Sequence, residues 1–310
     1  MVSIGPPKVD HRRGLSHHCR ACGRVIPLQS MAARRVAPTT AHSRLQSAFA
    51  RPTGVPSSSA AFGKVAIVIQ SVAASQRPPA SLWGRAPMTE RIREFLRRRR
   101  EDGPCLVVDL EVVRENYFKF ARALPDTRVF YAVKANPEPE LLALLAELGS
   151  SFDTASVVEI ELALAAGATP DRVSFGNTIK KERDIARALE LGVRLFAVDC
   201  DAEVEKIARA KAQTGAEDVQ VFCRILCDGA GAEWPLSRKF GCEPAMAVEV
   251  LEHAHRVGLE AYGVSFHVGS QQGNTEAWDQ ALGSAAAIFH ACAEKGIHLS
   301  MVNLGGGFPT

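Results

Sequence analysis

Acidic side chains are nearly missing from the first part of this 310-residue chain. From Met1 to Thr89 there are twelve Lys and Arg residues against a single acid, Asp10. The rest reverses the balance and carries a net charge of −8, so the overall +3 does not argue for nucleic-acid binding. Long apolar runs are absent too. Val65–Ile69 is the longest in the first hundred residues, far short of the roughly 18–20 that a membrane helix requires. Tyr and Trp are scarce, with three of each. The eight cysteines are scattered, and Cys105, Cys200 and Cys223 sit in apolar, strand-like stretches where a thiol acts as a small hydrophobe. That usage fits a reducing compartment, here the cytoplasm, and excludes a disulfide scaffold. Cys19 and Cys22 lie in His-His-Cys-Arg-Ala-Cys, half of a zinc site with no second pair at the needed spacing. A chance cluster is the better reading, and no metal is expected.

What is present falls into three stretches. Residues 1–87 are rich in Arg, Ser, Ala and Pro and lack sustained periodicity, the marks of a disordered or non-native basic extension. Composition flips at Met88, which reads as a start, with an organellar transit peptide as the second interpretation. Residues 88–110 open with Thr89 as a helix cap and an amphipathic helix, then a strand over Cys105–Leu110. Residues 111–310 carry a regular alternation, after a first helix at Val112–Ala123. Strands are expected at 128–133, 151–153, 173–175, 195–198, 219–224, 261–267 and 299–304. Helices are expected at 138–148, 157–166, 180–191, 202–212 and 275–295. The strand ends Asp153, Gly176, Asp199 and Phe222 stand 23 residues apart, the length of a strand, a loop and three turns of helix.

A doubly wound sheet and a closed barrel both satisfy that alternation. Polar residues decide between them: Lys134, Asp153, Asn177, Asp199, Arg224, His267 and Gly305 all fall at or just after strand C-termini, which form the active-site rim of a TIM-type (β/α)8 barrel. A wet strand end explains any one of them, but not all seven. The count gives an incomplete barrel of about seven strands, with the first and seventh left as open edges.

Three segments carry the chemistry. Lys134 closes an apolar strand, where partial desolvation would lower its pKa and free the amine for a Schiff base. Taken alone, such a lysine is more often a snorkelling surface charge. Gly263-Val-Ser-Phe-His-Val-Gly-Ser supplies an imidazole and a hydroxyl. Gly305-Gly-Gly-Phe-Pro supplies bare amides that can close on a phosphate, as loops after late barrel strands do. Lysine, histidine and glycine cradle together suit an aldehyde that bears a phosphate, and pyridoxal 5'-phosphate (PLP) fits.

These residues also resemble a known family. Tyr131-Ala-Val-Lys-Ala-Asn, Phe152-Asp-Thr-Ala-Ser, Lys239-Phe-Gly, Val264-Ser-Phe-His-Val-Gly-Ser and Gly305-Gly-Gly-Phe-Pro are similar to the signatures of the ornithine/diaminopimelate/arginine decarboxylases, the fold III PLP enzymes. Phe266 before the histidine resembles the ornithine/lysine branch rather than the diaminopimelate branch. The resemblance implies Lys134 as the Schiff-base lysine and His267 stacked on the pyridine ring. It also implies Ser270, Gly305, Gly306 and Gly307 at the phosphate, Asp153 and Arg224 near the ring and its nitrogen, and Lys239 at the interface of a homodimer. It implies decarboxylation of ornithine or lysine to a diamine, a step of polyamine synthesis. Diaminopimelate decarboxylation and a non-catalytic, regulator-binding relative are the alternatives. The family pattern continues beyond Thr310 with a Glu-Pro-Gly-Arg segment, a Cys-Asp pair and most of a C-terminal β-domain. The expectation is therefore that this chain alone is inactive.

Overall fold

A computed structural model describes residues 66–71, 88–235 and 239–309, and for 66–71 only the course of the backbone. The Cys19/Cys22 cluster lies outside the described residues. Helix α1 (Glu90–Arg98) starts where Thr89 accepts the Ile92 N–H, with Glu90 in its first turn and Arg97 and Arg98 in its last, as the helix dipole favours. Helix α2 (Leu110–Ala123) is capped by Asp109, which accepts the Glu111 N–H at 3.1 Å. The Thr89 hydroxyl and the Arg91 guanidinium both reach the same carboxylate, at 2.6 and 3.0 Å. Cys105–Asp109 is therefore not the strand expected there. Its end is committed to capping α2, and no described strand runs alongside it to complete a ladder.

From Thr127 onward the alternation holds. All seven expected strands form: β2 (Thr127–Ala132), β3 (Ser151–Thr154), β4 (Val173–Phe175), β5 (Leu195–Val198), β6 (Gln220–Arg224), β8 (Glu260–Ser265) and β10 (Met301–Gly305). Between them run α3 (Pro139–Glu147), α4 (Val157–Ala165), α5 (Glu182–Glu190), α6 (Asp201–Thr214) and α8 (Glu276–Glu294). Helix α7 (Pro244–Arg256) and a two-stranded antiparallel ribbon, β7 (Ala232–Trp234) with β9 (Ser270–Gln272), were not anticipated.

The open edges were not borne out. An eighth strand, β1 (Ala66–Ser71), lies within the segment read as disordered and pairs in parallel with both β10 and β2. Ile67 stands opposite Val302 on one side and Thr127 on the other, closing the order β1-β2-β3-β4-β5-β6-β8-β10 into a barrel. The sequence signal was the run Val65–Ile69, whose β-branched residues favour a pleated strand.

Two apolar layers hold the barrel. The larger packs between strands and helices and includes Phe152, Phe175, Phe196, Ile160, Ile185 and Ile207. The smaller fills the barrel interior near its base with Phe130, Ala197, Phe222 and Met301. Because side chains alternate along a strand, the residues two positions on from Ala197 and Phe222 share that inward face at the other end. They are Asp199 and Arg224. The pleat thus aims both charges at the mouth of the barrel.

Candidate active site

Going round the rim, β2 runs into a short 3-10 turn, Val133–Ala135, that carries Lys134. Its side chain is exposed, not partly desolvated as the flanking apolar residues suggested, because the turn lifts it off the strand. Asp153 follows at the end of β3 and is buried. Ser174 donates its hydroxyl to the Asp153 carboxylate at 3.1 Å. Gly176, just past β4, leaves room for that carboxylate.

Arg224 ends β6 beneath the ring of Phe240, 5.5 Å from its centroid. Burial lowers the guanidinium pKa, and the nearby carboxylates of Asp153 and Asp199 oppose that effect. Asp199 in turn accepts the Gly241 N–H at 3.0 Å, which anchors the Lys239–Gly241 segment beside the rim. Lys239 itself is exposed, with Nζ 5.2 Å from the Phe240 ring.

His267 follows β8. Burial, then the positive charges of Arg224 and Lys134, push its pKa down to about 4. Gly269 donates its N–H to Nδ1 at 3.0 Å, so the neutral ring carries its proton on Nε2. Lys134, Arg224 and His267 thus meet at one mouth although they come from three strands. Ser270 opens β9 and pairs with Trp234.

The glycine loop after β10 is buried throughout, from Gly305 to Gly307. A Cβ at Gly305 would stand 2.1 Å from the Phe266 carbonyl oxygen, and one at Gly307 2.2 Å from that of Gly269. The loop therefore lies backbone against backbone on the His267 loop, as only glycine permits. Gly305 donates its N–H to buried Asn303 at 2.8 Å, so its amide is committed within the chain. Asn303 was not singled out in the sequence, though an Asn inside an apolar strand was an available signal, and Phe240 entered only as part of Lys239-Phe-Gly.

A second charged cluster lies by the β4 and β5 ends. Buried Lys180 donates to the carbonyls of Asn177 (2.9 Å), Thr178 (3.2 Å) and Ala197 (2.5 Å). It lies 3.2 Å from buried Glu203, which Lys206 also pairs with. Burial lowers the Lys180 pKa to about 8. Among the described residues no cluster of His, Cys, Asp and Glu suits a metal ion. Nor is any helix among them long and apolar enough to cross a membrane.

A side-chain-free cradle beside a neutral imidazole, with an exposed amine, the buried Asp153 carboxylate and the half-buried Arg224 guanidinium alongside, fits pyridoxal phosphate. The comparisons agree. Residues 110–310 match the family described as pyridoxal-dependent decarboxylase, pyridoxal binding domain. The chain belongs to that family.

Among similar proteins, the lysine/ornithine decarboxylase of Selenomonas ruminantium is 42% identical over 206 residues, 66% of this chain and 51% of the relative. The chloroplastic ornithine decarboxylase of Nicotiana glauca is 37% identical over 209 residues, 67% of this chain and 47% of the relative. The crystal structure of SrLDC in complex with PLP and cadaverine superposes with a TM-score of 0.64 at 38% identity, covering 72% of this chain and 55% of that one. The chain spans about half the length of the curated relatives it matches.

Proposed function

We propose that this chain forms the cofactor-binding part of a decarboxylase that removes the α-carboxyl group of ornithine or lysine and yields the diamine. The observation that carries the proposal is that Lys134, Arg224 and His267, at the ends of three strands, share one barrel rim with a buried glycine loop packed backbone to backbone on the His267 loop. The relatives named for lysine and ornithine support a basic amino acid as substrate, and its diamine product would serve polyamine synthesis. Phe266 before the histidine favours that branch over diaminopimelate.

Each residue has a defined task. Lys134, exposed on its turn, presents the amine that would take the cofactor's aldehyde and later give way to the substrate amine. His267 stays neutral over the physiological range, so its ring can lie flat on an aromatic cofactor without adding a charge, and the Gly269 N–H donated to Nδ1 fixes the tautomer that carries the proton on Nε2. Ser270 and the Gly306–Gly307 backbone would take the phosphate. Asp153 and Arg224 would set the field around the pyridine ring. When bound, PLP supplies an electron sink for the pair left on Cα as carbon dioxide departs.

We also place Lys239, exposed beside the rim, at a homodimer interface. The free thiols of all six described cysteines support a reducing compartment, the cytoplasm.

The test is PLP-loaded protein extended through the C-terminal segments that the family resemblance implies, offered carboxyl-labelled ornithine, lysine and diaminopimelate. Label released from ornithine or lysine supports the proposal. Release from diaminopimelate alone would move the chain to the other branch. Release from none, with the cofactor held at Lys134, would make the chain a binding relative and overturn the catalytic reading. In each case a visible absorption band that Lys134→Ala abolishes reports the attachment point.

A further inference from the structure

We infer that Gln272 is a positioning residue: its side-chain amide ties the loop after β8 to the loop after β6 and to the head of α8, its main-chain N–H holds the glycine loop, and together these set affinity for the phosphate end of the cofactor. The inference rests on the PLP-binding reading of the same site. Gln272 ends β9 and is 3% exposed, a buried amide among loops. Its Nε2 donates to the carbonyl of Val268 at 2.8 Å, in the loop after β8, and to that of Ala230 at 3.0 Å, in the loop after β6. Its Oε1 accepts the Asn274 N–H at 2.9 Å, and Asn274 in turn accepts the Glu276 N–H at the head of α8. Its own N–H donates to the carbonyl of Gly307 at 2.8 Å, in the glycine loop after β10. One residue thus joins three loops from three strands and the helix that follows.

The amide's chemistry explains why glutamine suits the position. Both N–H donors and the carbonyl are used at once, and each partner is a backbone group whose geometry matters to the cradle. A hydrocarbon side chain of the same length would leave the Val268 and Ala230 carbonyls and the Asn274 N–H without that partner. A carboxylate would set oxygen against two carbonyl oxygens. The spacing of the loops has little slack, because a Cβ at Gly307 would meet the Gly269 oxygen at 2.2 Å and one at Gly269 would meet the Ala232 Cβ at 2.4 Å. Gln272 acts through these backbones and need not touch the ligand.

The probes are PLP and pyridoxal, which share the aldehyde and ring and differ by the phosphate. Each is titrated into wild-type, Gln272→Glu and Gln272→Met protein and followed by absorbance. The expected result is a Kd for PLP raised about tenfold or more in Gln272→Glu, less in Gln272→Met, with the Kd for pyridoxal unchanged in both. Inorganic phosphate should compete with PLP in wild-type protein and weakly in the variants. Equal weakening for both probes would mean a general folding defect, and unchanged PLP affinity would mean no role; either overturns the inference. Wild-type protein that takes up neither probe would overturn the cofactor reading itself, a distinct failure. If neither variant folds, hydrogen exchange of the Asn274 amide in wild-type protein decides. Exchange slowed by PLP and not by pyridoxal supports the role, and exchange indifferent to both refutes it.

Discussion

Gly176 faces Asp153 so closely that a Cβ on the glycine would stand 1.9 Å from Oδ1 of the carboxylate. The absent side chain is what lets Asp153 remain inside the barrel mouth while accepting the Ser174 hydroxyl. Gly176→Ala should therefore displace the carboxylate, break that hydrogen bond and weaken the acid opposite Arg224. The overpacking should cost about 1–3 kcal/mol in denaturant unfolding. Stability equal to wild type would mean the carboxylate has another place to go.

The lowered pKa of His267 makes a pH prediction. Its folded value, about 4, lies below the ordinary value of 6.5, so between these values the unfolded chain binds the proton and the folded one does not. This group therefore favours unfolding progressively as pH falls from 6.5 towards 4, and has no such effect above 6.5. Urea midpoints of cofactor-free protein should drop more steeply over that window for wild type than for His267→Gln. Parallel curves would show that His267 does not titrate differently in the two states.

Removing residues 1–87 takes β1 from between β10 and β2 and leaves two facing edges with unpaired backbone groups. A chain starting at Met88 should melt at least about 4 °C lower than the longer one, equivalent to roughly 1–2 kcal/mol at this size. It should also aggregate more readily on heating. Coincident melting curves would mean the barrel keeps its stability without β1.

Glu203 is buried opposite Lys180, whose side chain is buried as well. Glu203→Leu would strand the Lys180 charge among carbonyls, at a cost of about 3–5 kcal/mol. Glu203→Gln, which keeps shape and hydrogen bonding, should cost less. The two unfolding free energies give the order, and the reverse order would remove the ion pair from the account.

Much of the site was legible because barrel periodicity does the arranging. Once Ala197 and Phe222 are recognised as inward-facing, the pleat alone sends Asp199 and Arg224 to the mouth, and the 23-residue interval places Asp153 and Gly176 beside them. Lys134 was readable as a residue but not as an environment. Whether a strand-end lysine is desolvated depends on the turn that carries it, and here Lys134 stands exposed on the Val133–Ala135 turn at the barrel mouth.

By itself, the sequence determined what depends on local order along the chain: the seven barrel strands from Thr127 on and the helices between them other than α7, the polar rim, the glycine loop. Tertiary structure alone decided what depends on partners distant in sequence. The run at 66–71 is a strand only because β10 and β2 offer it edges, and no periodic neighbour announces that pairing. Cys105–Asp109, apolar enough to read as a strand, meets no such edge among the described residues and ends in a helix cap instead. Gln272 reads as one more polar residue in a polar loop. What gives it a role is burial among three carbonyls and an amide that only the closed barrel brings within reach, where an unmatched polar group would be costly.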